Sequence, residues 1–123
     1  RALDGKPLIV YGTGEQTRDY QYIEDAVNGY VVAQTIPSGE IINTGVGEDF
    51  TINNIAQMVV EIAGSDSSIV HMDPRPGEVM KLRSNVDKIN GYGHVNKFSL
   101  RAGLEKYIHW VKTYDLDSLG VMK

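Results

Sequence analysis

Short apolar runs typical of β-strands alternate along this chain with longer segments whose apolar residues recur every three or four positions. Glycine or proline bounds most of these runs, so strand and helix cannot merge into one element. The strand-like runs are Leu8–Tyr11, residues 40–45 and Ile69–Met72. This alternation predicts an α/β fold with a few short parallel strands and about four helices.

Two helices are expected in the first half of the chain. One should extend from residue 24 to about residue 35, and it opens with Glu24 and Asp25, acids that a helix dipole favours at its N-terminus. Thr51 is suited to cap the other, whose apolar residues repeat at helical spacing until Gly64 ends it.

Two further helices are expected after residue 86. Asp87 should cap a short helix that reaches about Tyr92, and Ser99 should cap the last one. The predicted apolar face of the last helix consists of Leu100, Leu104, Tyr107, Ile108 and Val111. Trp110 borders this face, and the aromatic side chains of the helix are expected in the core.

Composition excludes several classes of function. The 123 residues suit one domain, 1–123, and a net charge of -4 argues against a nucleic-acid partner. The absence of cysteine excludes disulfides and suits the cytosol, and the three histidines lack metal-ligand spacing, so no metal is assigned. No apolar run is long enough to span a membrane, and no membrane partner is expected.

Two glycine turns invite comparison with dinucleotide-binding sites, which begin with a strand followed by G-x-G. In the turn that starts at Gly12 the third glycine is replaced by Thr17, and no helix is expected to open directly at the turn. The turn 45–47 also lacks the third glycine. Both are interpreted as plain turns, and no cofactor-binding residue is assigned.

Four segments occur in an order that is specific to one family. They are residues 8–25 (LIVYGTGEQTRDYQYIED), N-x-G at 43–45 before a Thr-capped helix, R-P-G-acid at 75–78, and S-L-x-x-G-L from residue 99, in a helix that carries tryptophan. The chain resembles the C-terminal, substrate-binding part of extended short-chain dehydrogenases/reductases, the NAD-dependent nucleotide-sugar epimerases and dehydratases related to UDP-glucose 4-epimerase.

The resemblance implies that the chain is a fragment lacking the Rossmann half. In that family the N-terminal half carries the cofactor turn and a catalytic Tyr-x-x-x-Lys pair, and none of the seven tyrosines here is followed four residues later by lysine. No catalytic residue is therefore assigned. NAD is expected to bind the intact parent enzyme and not this chain, which should be unable to complete the reaction alone.

The resemblance also implies a clamp for a nucleotide diphosphate. A planar guanidinium can donate two parallel hydrogen bonds to phosphate oxygens, which suits Arg18 and Arg75. Glu78 would accept hydrogen bonds from the ribose hydroxyls. The alternatives remain open that Arg18 forms a structural ion pair with Asp19 and that Arg75 is a surface residue of a proline loop.

The resemblance further implies that the backbone groups of Ile9, Val10 and Tyr11 contact the edge of a uracil or thymine base. Asn43 and Thr51 are interpreted as structural, in a turn and a helix cap respectively.

Two functions are consistent with these sequence features. The first is the nucleotide-sugar-binding part of an epimerase or dehydratase, with an N-terminal Rossmann domain as its partner. The second is a stand-alone ligand-binding or assembly module without a catalytic parent. Because the apolar surface that normally contacts the Rossmann domain would be exposed, self-association of the chain is also expected.

Overall fold

A computed structural model describes residues 1–114 of the chain. The elements are β1 Leu8–Tyr11, β2 Thr17–Arg18, α1 Ile23–Ala33, β3 Phe50–Thr51, α2 Ile52–Ala63, β4 Ile69–Met72, α3 Asp87–Gly91 and α4 Leu100–Thr113. The α/β class, the short parallel strands and the four expected helices are confirmed.

The central strand pair is parallel and joins β1 to β4, with Leu8 opposite Ile69 and Tyr11 opposite Met72. Helix α2 packs against β1, β3 and α4. A second, antiparallel pair joins β2 to β3. Its strands have two residues each, too few to show a recognisable alternation in the sequence.

The strand expected at residues 40–45 does not form, so that prediction is wrong. A strand requires a neighbour that accepts and donates its backbone hydrogen bonds. Within residues 1–114 no strand pairs with this segment, and the side chain of Ile41 is 85% exposed. The apolar run is present, but the sheet that would pair with it is missing from the described part of the chain.

Two of the expected caps are confirmed. The Thr51 hydroxyl accepts the backbone N–H of Asn54 at 3.1 Å, and Gly64 ends α2 in the left-handed conformation with φ 64°. The Ser99 hydroxyl accepts the N–H of Ala102 at 3.3 Å and caps α4. These signals are local, so sequence spacing alone is enough to detect them.

The expected cap of α3 is wrong. Asp87 is already the first helical residue, and Val86 occupies the capping position without a side-chain hydrogen bond. The carboxamide oxygen of Asn85 instead accepts the N–H of Asp87 at 3.0 Å.

The aromatic residues of α4 lie on its surface, so their expected place in the core is also wrong. Tyr107, Trp110 and Tyr114 are all exposed, whereas Ile108 is buried. Successive ring centroids are 5.9 and 5.2 Å apart, and both pairs are stacked. Spacings of three and four residues place these rings in a row beside the buried face, where they contact one another.

The most deeply buried side chains near α1 and α3 are Ile89, His94 and Asp25. The Asp25 carboxylate accepts the backbone N–H groups of Lys97 and Phe98 at 2.9 and 3.0 Å. Asp25 therefore holds the segment before α4 against the first turn of α1, in addition to its favourable position at the helix N-terminus.

Helices in the described part of the chain, residues 1–114, are all too short or too polar to cross a bilayer.

An ion pair between α2 and α4 should make stability depend on pH. Arg101 donates to Glu61 at 2.7 Å, and this bond, helped by the amide of Gln57, holds the pKa of Glu61 below its ordinary value. A carboxyl with a lowered pKa in the folded state stabilises that state above the ordinary pKa and loses this effect as the pH falls through the lowered one. Glu61→Gln should therefore lower the urea midpoint slightly at about pH 7 and not at about pH 3.

The matched control is Glu105→Gln, which changes an exposed acid on α4, the helix that carries Arg101. An equal effect of Glu61→Gln at both pH values would contradict the role of this pair.

Candidate functional site

A groove of about 480 Å³ lies where the turns after β1 and β4 meet. Because β1 and β4 are parallel, their carboxyl ends lie at the same edge, the usual position of ligand sites in α/β proteins. The long polar side chains that line it are Gln16, Arg75 and Glu78. Asp73 lines the same groove, so its polar wall carries both signs of charge.

Arg18 is fixed beside this groove by the backbone. Its Nη1 donates to the carbonyl oxygens of Thr17 at 2.7 Å and Val79 at 2.6 Å, and its Nη2 donates to Glu78 Oε1 at 3.2 Å. The side chains of this ion pair are 23% and 22% exposed. The guanidinium is thus held by one nitrogen, while the other faces an acid that lines the groove.

Arg75 lies on the ring of Tyr11, with the guanidinium carbon 4.0 Å from the ring centroid. This is the geometry of a cation–π contact, which restrains a long side chain without consuming its hydrogen-bond donors. Gly77 supports the turn with φ 74°, and the N–H of Glu78 donates to the carbonyl of Arg75 at 3.3 Å. Arg75 is exposed, as the alternative of a surface residue also requires.

The predicted site residues are brought together in part. Arg75 and Glu78 line one groove, Tyr11 contacts Arg75, and Arg18 reaches the groove through Glu78. Ile9 and Val10 belong to β1 but do not line the groove, and Val10 is buried.

Gln16 is a groove residue to which sequence reasoning assigned no role. Its side chain is 4% exposed, and its Nε2 donates to the carbonyl oxygen of Tyr11 at 2.8 Å. The bond fixes the end of β1 next to the ring on which Arg75 lies. Its position in the Q-x-R-D segment was visible in the sequence, but its contact with Tyr11 was not.

Asp19 does not pair with Arg18, contrary to the structural alternative. Its carboxylate accepts three backbone N–H groups, from Val46 at 2.8 Å, Gly47 at 3.0 Å and Ser84 at 3.1 Å. A Cβ at Gly45 would lie 2.7 Å from Asp19 Oδ2, so glycine is needed for this approach. Asp19 therefore joins two distant loops to the strand that carries Arg18.

Each glycine turn is followed by a short strand and not directly by a helix. The turn after β1 leads into β2, and α1 begins only at Ile23, so no helix opens directly from the turn. The first N–H groups of α2 do lie beside it, but Ile52 and Asn53 donate them to the carbonyl oxygens of Gln16 and Gly14, both at 3.1 Å. Gly14 has φ 76°, and a Cβ there would lie 1.9 Å from Asn53 Oδ1, which accounts for this glycine by packing. The turn that contains Gly47 leads into β3 before α2 begins.

No cluster of three or more histidine or acidic side chains suited to a metal ion occurs among residues 1–114.

These features define a class: an α/β unit with a basic and acidic groove at the carboxyl ends of its parallel strands. Residues 1–45 match the NAD dependent epimerase/dehydratase family. A UDP-N-acetyl-alpha-D-glucosaminuronate decarboxylase of Bacillus cytotoxicus is 32% identical to this chain, over 94% of the chain and 39% of the relative.

Solved structures agree with this match. UDP-glucose 4-epimerase of Thermotoga maritima, solved with UDP-glucose, has a TM-score of 0.87 and 32% identity, covering 91% of this chain and 37% of that one. UDP-glucuronic acid 4-epimerase of Bacillus cereus, solved with UDP-glucuronic acid and NAD, has a TM-score of 0.81 and 32% identity, covering 89% and 36%.

The resemblance found in the sequence is thus confirmed: the family model matches residues 1–45, and about nine tenths of the chain is similar to part of UDP-sugar epimerases and decarboxylases. It spans about a third of the length of the relatives it matches.

Loss of the Asp19 carboxylate should destabilise the fold. Asp19→Ala leaves three backbone N–H groups without their acceptor, and we expect it to lower the free energy of unfolding by about 2 kcal/mol or more. Urea unfolding followed by circular dichroism measures this. Asp66→Ala, at an exposed position, is the control and should change stability by less than about 0.5 kcal/mol. Equal stability of the two variants would contradict the role of Asp19.

Proposed function

We propose that this chain is the nucleotide-sugar-binding, C-terminal part of an NAD-dependent epimerase or dehydratase, and that residues 1–123 form one domain of it. The observation that carries the proposal is the position of Arg18. Two backbone carbonyls hold this cation beside the groove, and its second nitrogen faces the groove acid Glu78. Both relatives of known structure named above were solved with a UDP-sugar.

In this proposal the two arginines bind the diphosphate. Arg18 offers a fixed guanidinium edge, and Arg75 keeps its donors free while its plane contacts Tyr11. A charged hydrogen bond contributes roughly 1.5 to 3 kcal/mol, so several such bonds bring binding to about the micromolar range. Selectivity for a diphosphate over a single phosphate would follow from having one cation on β2 and the other in the turn after β4.

The remaining contacts fix the nucleoside. Glu78 accepts hydrogen bonds from the ribose hydroxyls, and the backbone of Ile9, Val10 and Tyr11 contacts the edge of the base. Gln16 supports the last of these by fixing the Tyr11 carbonyl, which retains a second lone pair for a ligand donor.

The chain supplies binding and orientation but not the reaction. A 4-epimerase needs a group that removes a proton from the sugar hydroxyl, and the chain has no Tyr-x-x-x-Lys pair for this step. NAD supplies hydride transfer in such enzymes. No helix opens directly at either glycine turn here, which supports NAD binding by the remaining part of the protein. The cytosolic location expected from the cysteine-free sequence is retained.

That remaining Rossmann part is also the proposed partner. The apolar residues Ile23, Val27, Tyr30 and Val31 lie on one face of α1 at helical spacing, and each is more than half exposed. Apolar stripes of this kind face a protein partner more often than water. The occupant of this α1 face is the two thirds of the family protein that the chain does not span.

The second candidate, a stand-alone ligand-binding or assembly module, is favoured by the way Asp19 and Asp25 tie the loops together without help from another domain. A reading frame that continues upstream through a cofactor turn and a Tyr-x-x-x-Lys pair would exclude it.

Calorimetry with UDP-glucose tests the clamp. We expect binding at about micromolar concentration, weakened about tenfold or more by Arg18→Ala and by Arg75→Ala because each removes a charged hydrogen bond. Arg101→Ala is the control, since Arg101 pairs with Glu61 on the α2–α4 side. NADH fluorescence should not change on mixing. No heat with UDP-glucose, or equal binding by all variants, would refute the clamp.

The α1 face should cause the chain to self-associate when it is produced alone. We expect sedimentation to show oligomers that increase with concentration, and Val27→Glu to give monomers because it places a charge in the stripe. Val95→Glu, at another exposed valine, is the matched control. A monomeric wild-type chain at high concentration would contradict this expectation.

A further inference from the structure

We propose that the Glu78 carboxylate competes with ligand phosphate for the guanidinium of Arg18. A ligand displaces it by making two contacts, with its phosphate on Arg18 and its hydroxyls on Glu78. This inference rests on the proposed function and predicts that the site requires phosphate and vicinal hydroxyls in the same ligand. A ligand that has only the phosphate groups or only the hydroxyls should bind weakly.

The donors of Arg18 explain the competition. A guanidinium has five N–H donors, and the two on Nη1 are used by the carbonyls of Thr17 and Val79. The donors left for an anion are on Nη2 and Nε. Of these three donors, one on Nη2 is donated to Glu78 Oε1 at 3.2 Å, so a phosphate that binds through both Nη2 and Nε competes with the carboxylate for Nη2. Carboxylate and phosphate are equivalent partners for this edge.

The environment gives the exchange a measurable cost. The side chains of Arg18 and Glu78 are only 23% and 22% exposed, so water and salt screen this pair less than they screen a surface pair. Glu78 also lines the groove, so a phosphate bound there would place negative charge close to the released carboxylate.

Vicinal hydroxyls remove this second cost. A carboxylate only accepts hydrogen bonds. Once phosphate has replaced Glu78 at Arg18, the hydroxyl groups of a ribose would donate to this carboxylate. Inorganic pyrophosphate has no such donors. The site should therefore bind a ribonucleoside diphosphate better than the same anion without its ribose, even before any contact with the base.

The experiment compares UDP with inorganic pyrophosphate by calorimetry at one pH and ionic strength, on the wild-type chain and on Glu78→Gln. The amide keeps the shape of Glu78 but holds Arg18 less strongly and carries no charge. We expect Glu78→Gln to bind pyrophosphate about fivefold more tightly, the size expected for a partly exposed ion pair. UDP should gain less than about twofold or bind more weakly, because its ribose loses a charged acceptor.

Two controls separate competition from general charge. Asp73→Asn removes the same charge from the same groove without removing the partner of Arg18, and it should improve pyrophosphate binding less than Glu78→Gln does. In the double variant Arg18→Gln/Glu78→Gln the gain should disappear. An equal gain from Asp73→Asn, a gain that survives loss of Arg18, or an equal gain for UDP and pyrophosphate would overturn the exchange.

Failure of the proposed function gives a different result. If neither the wild-type chain nor any variant binds UDP or pyrophosphate, the clamp and the exchange are both refuted. If the wild-type chain binds UDP and Glu78→Gln leaves pyrophosphate binding unchanged, only the exchange is refuted.

Discussion

The carboxylate of Asp19 is the contact on which the arrangement of the groove depends. Its three backbone hydrogen bonds join loops near residues 46 and 84 to β2, and β2 carries Arg18. Asp25 does the same for the segment before α4. Two acids six residues apart thus hold together parts of the chain that are far apart in sequence, which stabilises loops that regular hydrogen-bond ladders do not reach.

The sequence predicted those elements whose signals are local. Leu8–Tyr11 and Ile69–Met72 are strands, and the caps Thr51 and Ser99 lie where spacing placed them. The strand predicted at residues 40–45 does not form, because strand pairing depends on a neighbouring strand and not on apolar content.

The site was predictable to a similar extent. Arg75 and Glu78 share a groove because a short proline turn keeps them close, and this is visible in four consecutive residues. The contacts of Gln16 and Asp19 depend on folding, since their partners lie in other segments. For Asp19 these partners are 27 to 65 residues away. Asp19 follows Arg18 in the sequence, but the ion-pair partner of Arg18 is Glu78, which is 60 residues away.

The row of stacked rings on α4 has a spectroscopic consequence. Trp110 is the single tryptophan of the sequence, and it lies between Tyr107 and Tyr114 on the helix surface. Indole emission from this protein therefore originates from one partly solvated position in α4, outside the groove-lining residues. Intrinsic fluorescence is accordingly a site-specific reporter of the last helix and of whatever covers it, while tyrosine absorbance averages over seven positions.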